Sequence, residues 1–296
     1  MRIVSLLPSA TEIVFALGLD DSLVGVTFEC DFPPEARQKR IVSTSALEEG
    51  LAPSEIDAAV KERLAAGEDL YHLDRGAFAE IDPTLVITQD LCSVCAVDVT
   101  EVDDALSYLS CTADVLTLDP MSLPEVLATI DAVGEATGST PEAREMTSSL
   151  RERLAIVRDA ASELSQPQVL LLEWTDPAFT AGHWVPDLVA AAGGLPVLAN
   201  PGENSVGIGW EEVRASNADI VIVSPCGYRL DGATTLATQI LGQGVLPPNA
   251  QVWAIDADHY VVRPGPRLVD GVEILSTLLH PETFGAPSDT TIRRIR

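Results

Sequence analysis

The sequence predicts an α/β fold of two similar lobes, each built on a mainly parallel sheet and joined by a long helical segment. Three observations carry this. Short apolar runs suited to buried strands alternate with amphipathic stretches through both halves of the 296-residue chain, the pattern of strand and crossover-helix units. Between the halves, residues 122–164 hold no strand run; Leu123, Val126, Leu127, Ile130 and Val133, then Leu150, Leu154, Val157 and Ala161, recur at helical spacing. A phrase also repeats, since Asp82-Pro83-Thr84-Leu85-Val86-Ile87-Thr88 in the first half resembles Asn217-Ala218-Asp219-Ile220-Val221-Ile222-Val223 in the second.

In chain order, residues 2–6 read as a strand, and Ser9-Ala10-Thr11-Glu12 matches a capping box ahead of Ile13, Val14, Ala16 and Leu17, with Gly18 as the stop. Residues 23–26 give a second strand that runs into the loop Thr27-Phe28-Glu29-Cys30-Asp31-Phe32-Pro33-Pro34. Ile41-Val42 is a third strand, 53–66 a helix closed by Gly67, and 85–88 a strand followed by Gln89-Asp90-Leu91-Cys92-Ser93-Val94-Cys95. Residues 101–109 return to helix and 115–118 to strand. Gly138-Ser139-Thr140-Pro141 breaks the central helical segment in two. The second half repeats the alternation: strand 169–172, an aromatic loop, helix 186–192 ended by Gly193-Gly194, and strand 197–198. A helix starting at Trp210, strand 220–223, helix 234–241, strand 252–255 and helix 267–279 follow. The expected division is an N-terminal lobe 1–121, a helical connector 122–165, a C-terminal lobe 166–284 and a tail 285–296, whose Arg293-Arg294-Ile295-Arg296 reads as a frayed, solvated terminus.

Composition sets limits on function. About 46% of residues are hydrophobic, enough for sizeable cores. Lys plus Arg number 18 against 45 Asp plus Glu, a net charge of −27, which excludes a polyanion partner such as nucleic acid because binding phosphates needs clustered cations. No stretch approaches the roughly 20 apolar residues of a membrane span. Acid pairs such as Glu48-Glu49 and Asp103-Asp104 read as solvated helix charges. There is no nucleophile elbow, phosphate loop or zinc-protease pair, so the expectation is a protein that is not an enzyme and requires no cofactor. Met1-Arg2-Ile3-Val4-Ser5-Leu6-Leu7-Pro8 is too soon interrupted by proline for a signal peptide's apolar core, and five cysteines without framework spacing suit a reducing compartment. The expected location is therefore cytoplasmic, or periplasmic or cell-surface should the start codon be mis-called.

The candidate site is the stretch Glu173-Trp174-Thr175-Asp176-Pro177-Ala178-Phe179-Thr180-Ala181-Gly182-His183-Trp184, which holds two of the four tryptophans and one of the four histidines. Large aromatic groups at a strand's end are what an open α/β sheet uses to hold a ligand; Trp174, Phe179 and Trp184 could equally seal a core edge. His183 is set on the loop between Gly182 and Trp184. His259 could ligate a metal centre axially or be a satisfied histidine at a strand end. Cys92 and Cys95, with Cys30, could hold a borderline cation such as zinc or, as a pair, form a redox disulfide. Cys111 and Cys226 read as buried apolar residues.

With these features placed, the sequence resembles the helix-linked substrate-binding proteins of ABC importers, and within them the cobalamin-binding proteins. The match is carried by Ile3-Val4-Ser5-Leu6-Leu7-Pro8-Ser9-Ala10-Thr11-Glu12, Asp31-Phe32-Pro33-Pro34, Ile81-Asp82-Pro83-Thr84-Leu85-Val86-Ile87, Pro177-Ala178-Phe179-Thr180-Ala181-Gly182 and Pro264-Gly265-Pro266-Arg267. The resemblance implies two Rossmann-like α/β lobes joined by one long backbone helix, with a ligand cleft between the lobes. It implies a non-catalytic monomer that binds a small-molecule metal complex, cobalamin or a related corrinoid, and an ABC transporter permease as partner. It places the loop Phe28-Glu29-Cys30-Asp31, with Glu29 and Cys30 at its centre, in a ligand-contacting segment of the first lobe, and Trp174 and His259-Tyr260 in the second. Docking to the permease in this family uses one acidic residue per lobe, for which Glu211 is the second-lobe candidate. Two departures stand out: Ser45 follows Val42-Ser43-Thr44, and Gln89-Asp90-Leu91-Cys92 follows the first-lobe strand, where cobalamin binders carry tryptophans. An extra segment, roughly residues 64–78, also precedes that strand. The alternatives are another metal chelate (haem or a siderophore), a metal ion held by the cysteines, or a cytoplasmic corrinoid-handling or redox protein on the same fold.

Overall fold

The central apolar runs become strands because they are short, branched and buried on both faces, as at Ile3–Ser5, Leu85–Thr88 and Ile220–Val223, the signature of a parallel sheet covered by helices. A computed structural model describes residues 1–48, 50–66, 68–89 and 112–296. The described chain divides into two units, Met1–Asp119 with Ala128–Thr147, and Pro120–Leu127 with Ser148–Arg296.

In the first unit, β1 (Ile3–Ser5), β2 (Leu23–Thr27), β3 (Arg40–Ser45), β4 (Tyr71–Leu73), β5 (Leu85–Thr88) and β6 (Asp114–Thr117) form one sheet in the order β4-β3-β2-β1-β5-β6. All neighbours are parallel except β3 and β4. One face is closed by Val4, Leu6, Val42, Phe78, Ile81 and Val86, every one at most 5% exposed. The expected capping box does not form. The helix starts one residue earlier, at Pro8, with Leu7 as an N-cap that makes no side-chain bond, and Ser9 and Glu12 lie buried inside it. Proline suits a first helical position, where its missing N–H costs nothing. Thr11, buried on the same helix, donates its hydroxyl to Ser5 Oγ at 2.9 Å. β4 and the helix Arg75–Ile81, capped by Asp74 accepting from the Ala77 N–H at 2.9 Å, come from the extra segment and have no counterpart in the pattern reading. The expected helix at 101–109 lies outside the described residues.

The central segment forms two helices, Leu123–Thr137 and Thr140–Ala161, broken where expected, with Gly138 at φ 78°. Gly134 lets them approach: a Cβ there would sit 2.3 Å from the Cβ of Ala143. In the second unit, Arg153 ties the latter part of Thr140–Ala161 to the helix Leu268–Leu279. Its guanidinium donates Nε to Glu273 at 2.8 Å and Nη2 to Glu273 and Asp270 at 2.7 and 2.5 Å. These carboxylates, Glu273 first, hold its pKa above the ordinary arginine value.

The second sheet is built from β7 (Gln168–Thr175), β8 (Ala178–Thr180), β9 (Leu195–Pro196), β10 (Ile220–Val223), β11 (Gln251–Ile255) and β12 (Ile292–Arg294), in the order β12-β11-β10-β7-β8, with β9 beside the start of β7. Two expectations are corrected here. The aromatic stretch is not a loop: β7 runs on through Glu173, Trp174 and Thr175, then folds back into β8 through the cis Asp176–Pro177 turn. The C-terminal arginines are not frayed: Ile292–Arg294 pairs antiparallel with β11, Arg293 meets Asp231 at 3.0 Å, and Arg296 Nε donates to the Ala250 carbonyl at 2.9 Å. A third, smaller difference is that the strand expected at 197–198 forms at Leu195–Pro196.

Candidate ligand-binding site

In the second unit β7 lies between β10 on one edge and the short β8 and β9 on the other, so the connections leave its carboxyl end in opposite directions. Such a switch point opens a crevice beyond the strand ends and is where open α/β sheets take ligands. Three segments meet the solvent there: the β7–β8 hairpin, residues 224–229 after β10, and residues 256–263 after β11.

Glu173 fixes the hairpin. One carboxylate oxygen accepts from the Gly182 N–H at 3.2 Å and the other from the Ser205 hydroxyl. Only glycine fits at 182, because a Cβ would lie 2.3 Å from the Ser205 backbone nitrogen. Trp174, half-buried, donates Nε1–H to the Asp176 carbonyl at 3.1 Å, which holds the indole over the turn. Its ring meets Tyr228 edge-on at 5.8 Å and 66°, a favoured aromatic geometry. Phe179 is the cross-strand partner of Trp174 and is also half-buried.

The remaining residues fall into two groups. His183 sits at φ 51°, donates its N–H to the Glu203 carbonyl at 2.6 Å, and pairs Nε2 with Asn204 Oδ1 at 3.1 Å. Burial lowers its pKa, and the Asn204 bond opposes this only in part. Trp184 is 7% exposed and donates Nε1–H to the Val261 carbonyl at 2.9 Å, so it packs within the unit instead of offering an aromatic face. Beyond β11, the short helix Ala257–Tyr260 is capped by Asp256, which accepts from the His259 N–H at 3.2 Å and pairs with His259 Nδ1 at 2.8 Å. Tyr260 stands edge-on to the His259 ring at 6.0 Å. Burial, then the Asp256 charge, raises its phenol pKa, and burial does the same for Tyr228. The Asp258 N–H donates to the Tyr228 carbonyl at 3.2 Å, and its carboxylate meets Arg263 at 2.9 Å. These bonds lock the β10 and β11 loops together and set Trp174, Tyr228, His259 and Tyr260 on neighbouring strand ends.

In the first unit, Phe28 is 40% exposed and its N–H donates to the Ser43 carbonyl at 3.1 Å. Its ring lies 6.3 Å from that of Tyr71. The Tyr71 hydroxyl donates to Glu29 at 3.3 Å. Cys30 is 3% exposed, with its sulfur 3.0 Å from Thr11 Oγ1. Its expected co-ligands, Cys92 and Cys95, lie outside the described residues, as does Cys111. Cys226 is exposed, not buried as expected. Glu211 is exposed in the first turn of the helix Trp210–Ala215, beside Glu212. Phe28 falls in the first-lobe segment that the resemblance pointed to, whereas Tyr71 and Tyr228 were not singled out from the sequence: they sit in segments without periodicity, and only tertiary contact reveals them. Among the described residues, no helix is long and apolar enough to cross a membrane.

Residues 3–243 match a protein family described as periplasmic binding protein. An uncharacterized ABC transporter substrate-binding lipoprotein of Bacillus subtilis is 27% identical over 294 residues, 96% of this chain and 81% of that protein. A vitamin B12-binding protein of Vibrio cholerae is 26% identical over 288 residues, 94% of this chain and 88% of that one. Among solved structures, a periplasmic heme binding protein from Pseudomonas aeruginosa superposes with a TM-score of 0.73 at 20% identity, covering 99% of this chain and 97% of that one. A periplasmic family and a lipoprotein relative overturn the expectation of a cytoplasmic protein, which rested on the first residues and on cysteine usage.

Proposed function

Because the chain belongs to the periplasmic binding protein family and is a substrate-binding protein, not an enzyme, we propose that it captures a large, partly planar metal complex outside the cytoplasm for delivery to an ABC transporter permease. A corrinoid is the first choice of ligand and a haem the second. The observation that carries this reading is the Trp174–Tyr228 pair at the carboxyl ends of β7 and β10, an aromatic surface fixed by the Asp176 carbonyl and by the Glu173 clamp beneath it. A flat macrocycle is bound by such surfaces through contact area, which two stiff rings supply with little loss of rotamer freedom. The B12-binding and heme-binding relatives support the ligand class.

Titration with cobinamide, cobalamin and haemin, read by tryptophan fluorescence, tests the proposal. Quenching at micromolar ligand is expected, and the Trp174→Ala variant should lose roughly 10- to 30-fold in affinity, the scale of a central aromatic anchor. No quenching by any of the three would sink the reading. Glu211 is assigned to the permease. Glu211→Gln should leave these titrations unchanged and reduce ligand-stimulated ATP hydrolysis by the reconstituted transporter.

A further inference from the structure

A buried hydroxyl normally finds a partner, because leaving it unbonded away from water costs free energy. Among the described residues three side-chain hydroxyls are buried without one: Thr27 Oγ1, Ser43 Oγ and Ser224 Oγ. We infer that Thr27 and Ser43 together hold one internal water, and that this water supports the segment 28–31, which we read as contacting the ligand. The supporting role rests on the planar-complex reading; the water itself does not.

The two residues are Cα partners in the parallel β2–β3 ladder, where neighbouring strands run about 4.8 Å apart. Their side chains share a face. Gly25, two residues before Thr27, opens toward Val42, Ile81 and Val4, and residues two apart in a strand point the same way. Ser43 is the antiparallel partner of Leu73, which packs on that same cluster, and directly opposed residues also face one way. The pairing steps from Val26 with Ile41 to Thr27 with Ser43, which leaves Val42 as an extra residue on β3. Such a bulge lets Val42 and Ser43 face the cluster in succession, and it disrupts the ladder so that a backbone group is left for a further bond. Both hydroxyl-bearing residues are 1% exposed.

Hydroxyls both donate and accept, so the guest that suits a pair of them is neutral and does the same. An ion would need a counter-charge that they do not supply. With each bond about 2.8 Å long, one water spans two oxygens on adjacent strands. Ser224 makes the contrast: it stands at the carboxyl end of β10 with its N–H bonded to the Leu172 carbonyl at 2.9 Å, and among the described residues no second unbonded hydroxyl shares its sheet. The first-unit pair is also placed to matter for binding. Thr27 leads directly into segment 28–31 and its carbonyl accepts from the Cys30 N–H at 3.1 Å, while the Ser43 carbonyl accepts from the Phe28 N–H at 3.1 Å. A water across the two strands fixes where Phe28 and Glu29 emerge, as Glu173 fixes the hairpin of the second unit.

The test compares the full chain with Thr27→Val, which keeps the shape and drops the hydroxyl, with Ser43→Ala and with the double variant. A high-resolution crystal structure of the wild type should place one solvent oxygen within hydrogen-bond distance of both Oγ atoms, and oxygen-17 relaxation dispersion should count one fewer long-lived water in the double variant, because an apolar cavity stays dry. With a shared water, each single variant should unfold at lower urea than the wild type, and the double should lose less than the two singles added, since either change alone breaks the bridge. With two bare hydroxyls the singles should gain stability, because removing an unbonded buried group relieves its desolvation. No solvent oxygen at the pair, an equal water count, single variants that gain stability, or losses that simply add would each overturn the shared water. Positioning is read separately, by tryptophan quenching with cobinamide and haemin. Each single variant should bind roughly 2- to 10-fold more weakly, the worth of one hydrogen bond; undiminished affinity in variants that have lost the water overturns the supporting role. No quenching of the wild type by either ligand overturns the planar-complex reading, while the water count and the urea midpoints still decide the site.

Discussion

His183 shows how one backbone angle and one burial set a pH response. Its φ of 51° lies in the left-handed region, which histidine tolerates better than most residues, and the turn brings Nε2 to Asn204 at 3.1 Å. Burial holds its folded pKa below the ordinary 6.5. Above pH 6.5 both folded and unfolded chains carry a neutral ring, and the residue adds no pH dependence. As pH falls below that value the unfolded chain takes up a proton that the folded one resists, so stability declines until the folded pKa is reached and is then level. His183→Gln removes the titration while keeping a donor for Asn204. Its urea midpoint should fall less than the wild type's between about pH 7.5 and about pH 5; an unchanged difference would show that other groups carry the slope. The same scale shows what could be read beforehand at the site. The positions of Trp174 and His259 at the ends of β7 and β11 could be read from the apolar runs that precede them. Trp184 looked alike in sequence but is buried by its bond to Val261, and Tyr228 gained its role from a contact 54 residues away in the chain, which no local pattern encodes.

At the scale of elements, the helix pair offers a test of sign. Glycine to alanine inside a helix ordinarily stabilises by up to about 1 kcal/mol. At Gly134 the added methyl would meet the Ala143 Cβ at 2.3 Å, a backbone-fixed atom that cannot swing aside, whereas at Gly242, the last residue of the helix Leu230–Gly242, nothing lies within 4 Å. Gly242→Ala should raise the thermal midpoint, and Gly134→Ala should lower it by the equivalent of about 1–3 kcal/mol of overpacking. Two shifts of the same sign would contradict this. Elements with several turns of repeating pattern were legible: Pro53–Ala66 and Leu268–Leu279 fall where periodicity put them, and the central break lies at Gly138. Short elements were not. β4 and the helix Ala257–Tyr260 span three and four residues, too few for any period to register, and they exist because Tyr71 and Asp256 are held by partners distant in sequence or by a cap. Pro177 read as the end of regular structure because proline lacks an N–H. In the protein it occupies the two-residue turn of a hairpin, where no ladder bond is asked of it.

For the whole molecule the dominant fact is charge. A net −27 over 296 residues, with Lys39 and Lys61 the only lysines, makes the folded chain repel itself, and compaction raises that cost because it brings like charges closer together than in the unfolded chain. Exposed acids such as Glu62, Glu145 and Glu152 add to that field. Ion pairs such as Arg153 with Asp270 and Glu273 pull the other way, but their side chains are 35–42% exposed and are screened by the same salt. Counting 45 acids against 18 bases, repulsion outnumbers attraction, so screening should stabilise on balance. The Debye length falls from about 10 Å at 0.1 M to about 3 Å at 1 M, and the thermal midpoint is expected to climb over that interval in potassium chloride, an electrolyte with weak effects on apolar hydration. Changing Glu62, Glu145 and Glu152 together to Gln should raise the midpoint at low salt and flatten its rise. A midpoint that falls with salt, or a triple variant with the full wild-type slope, would mean that the ion pairs outweigh the net charge.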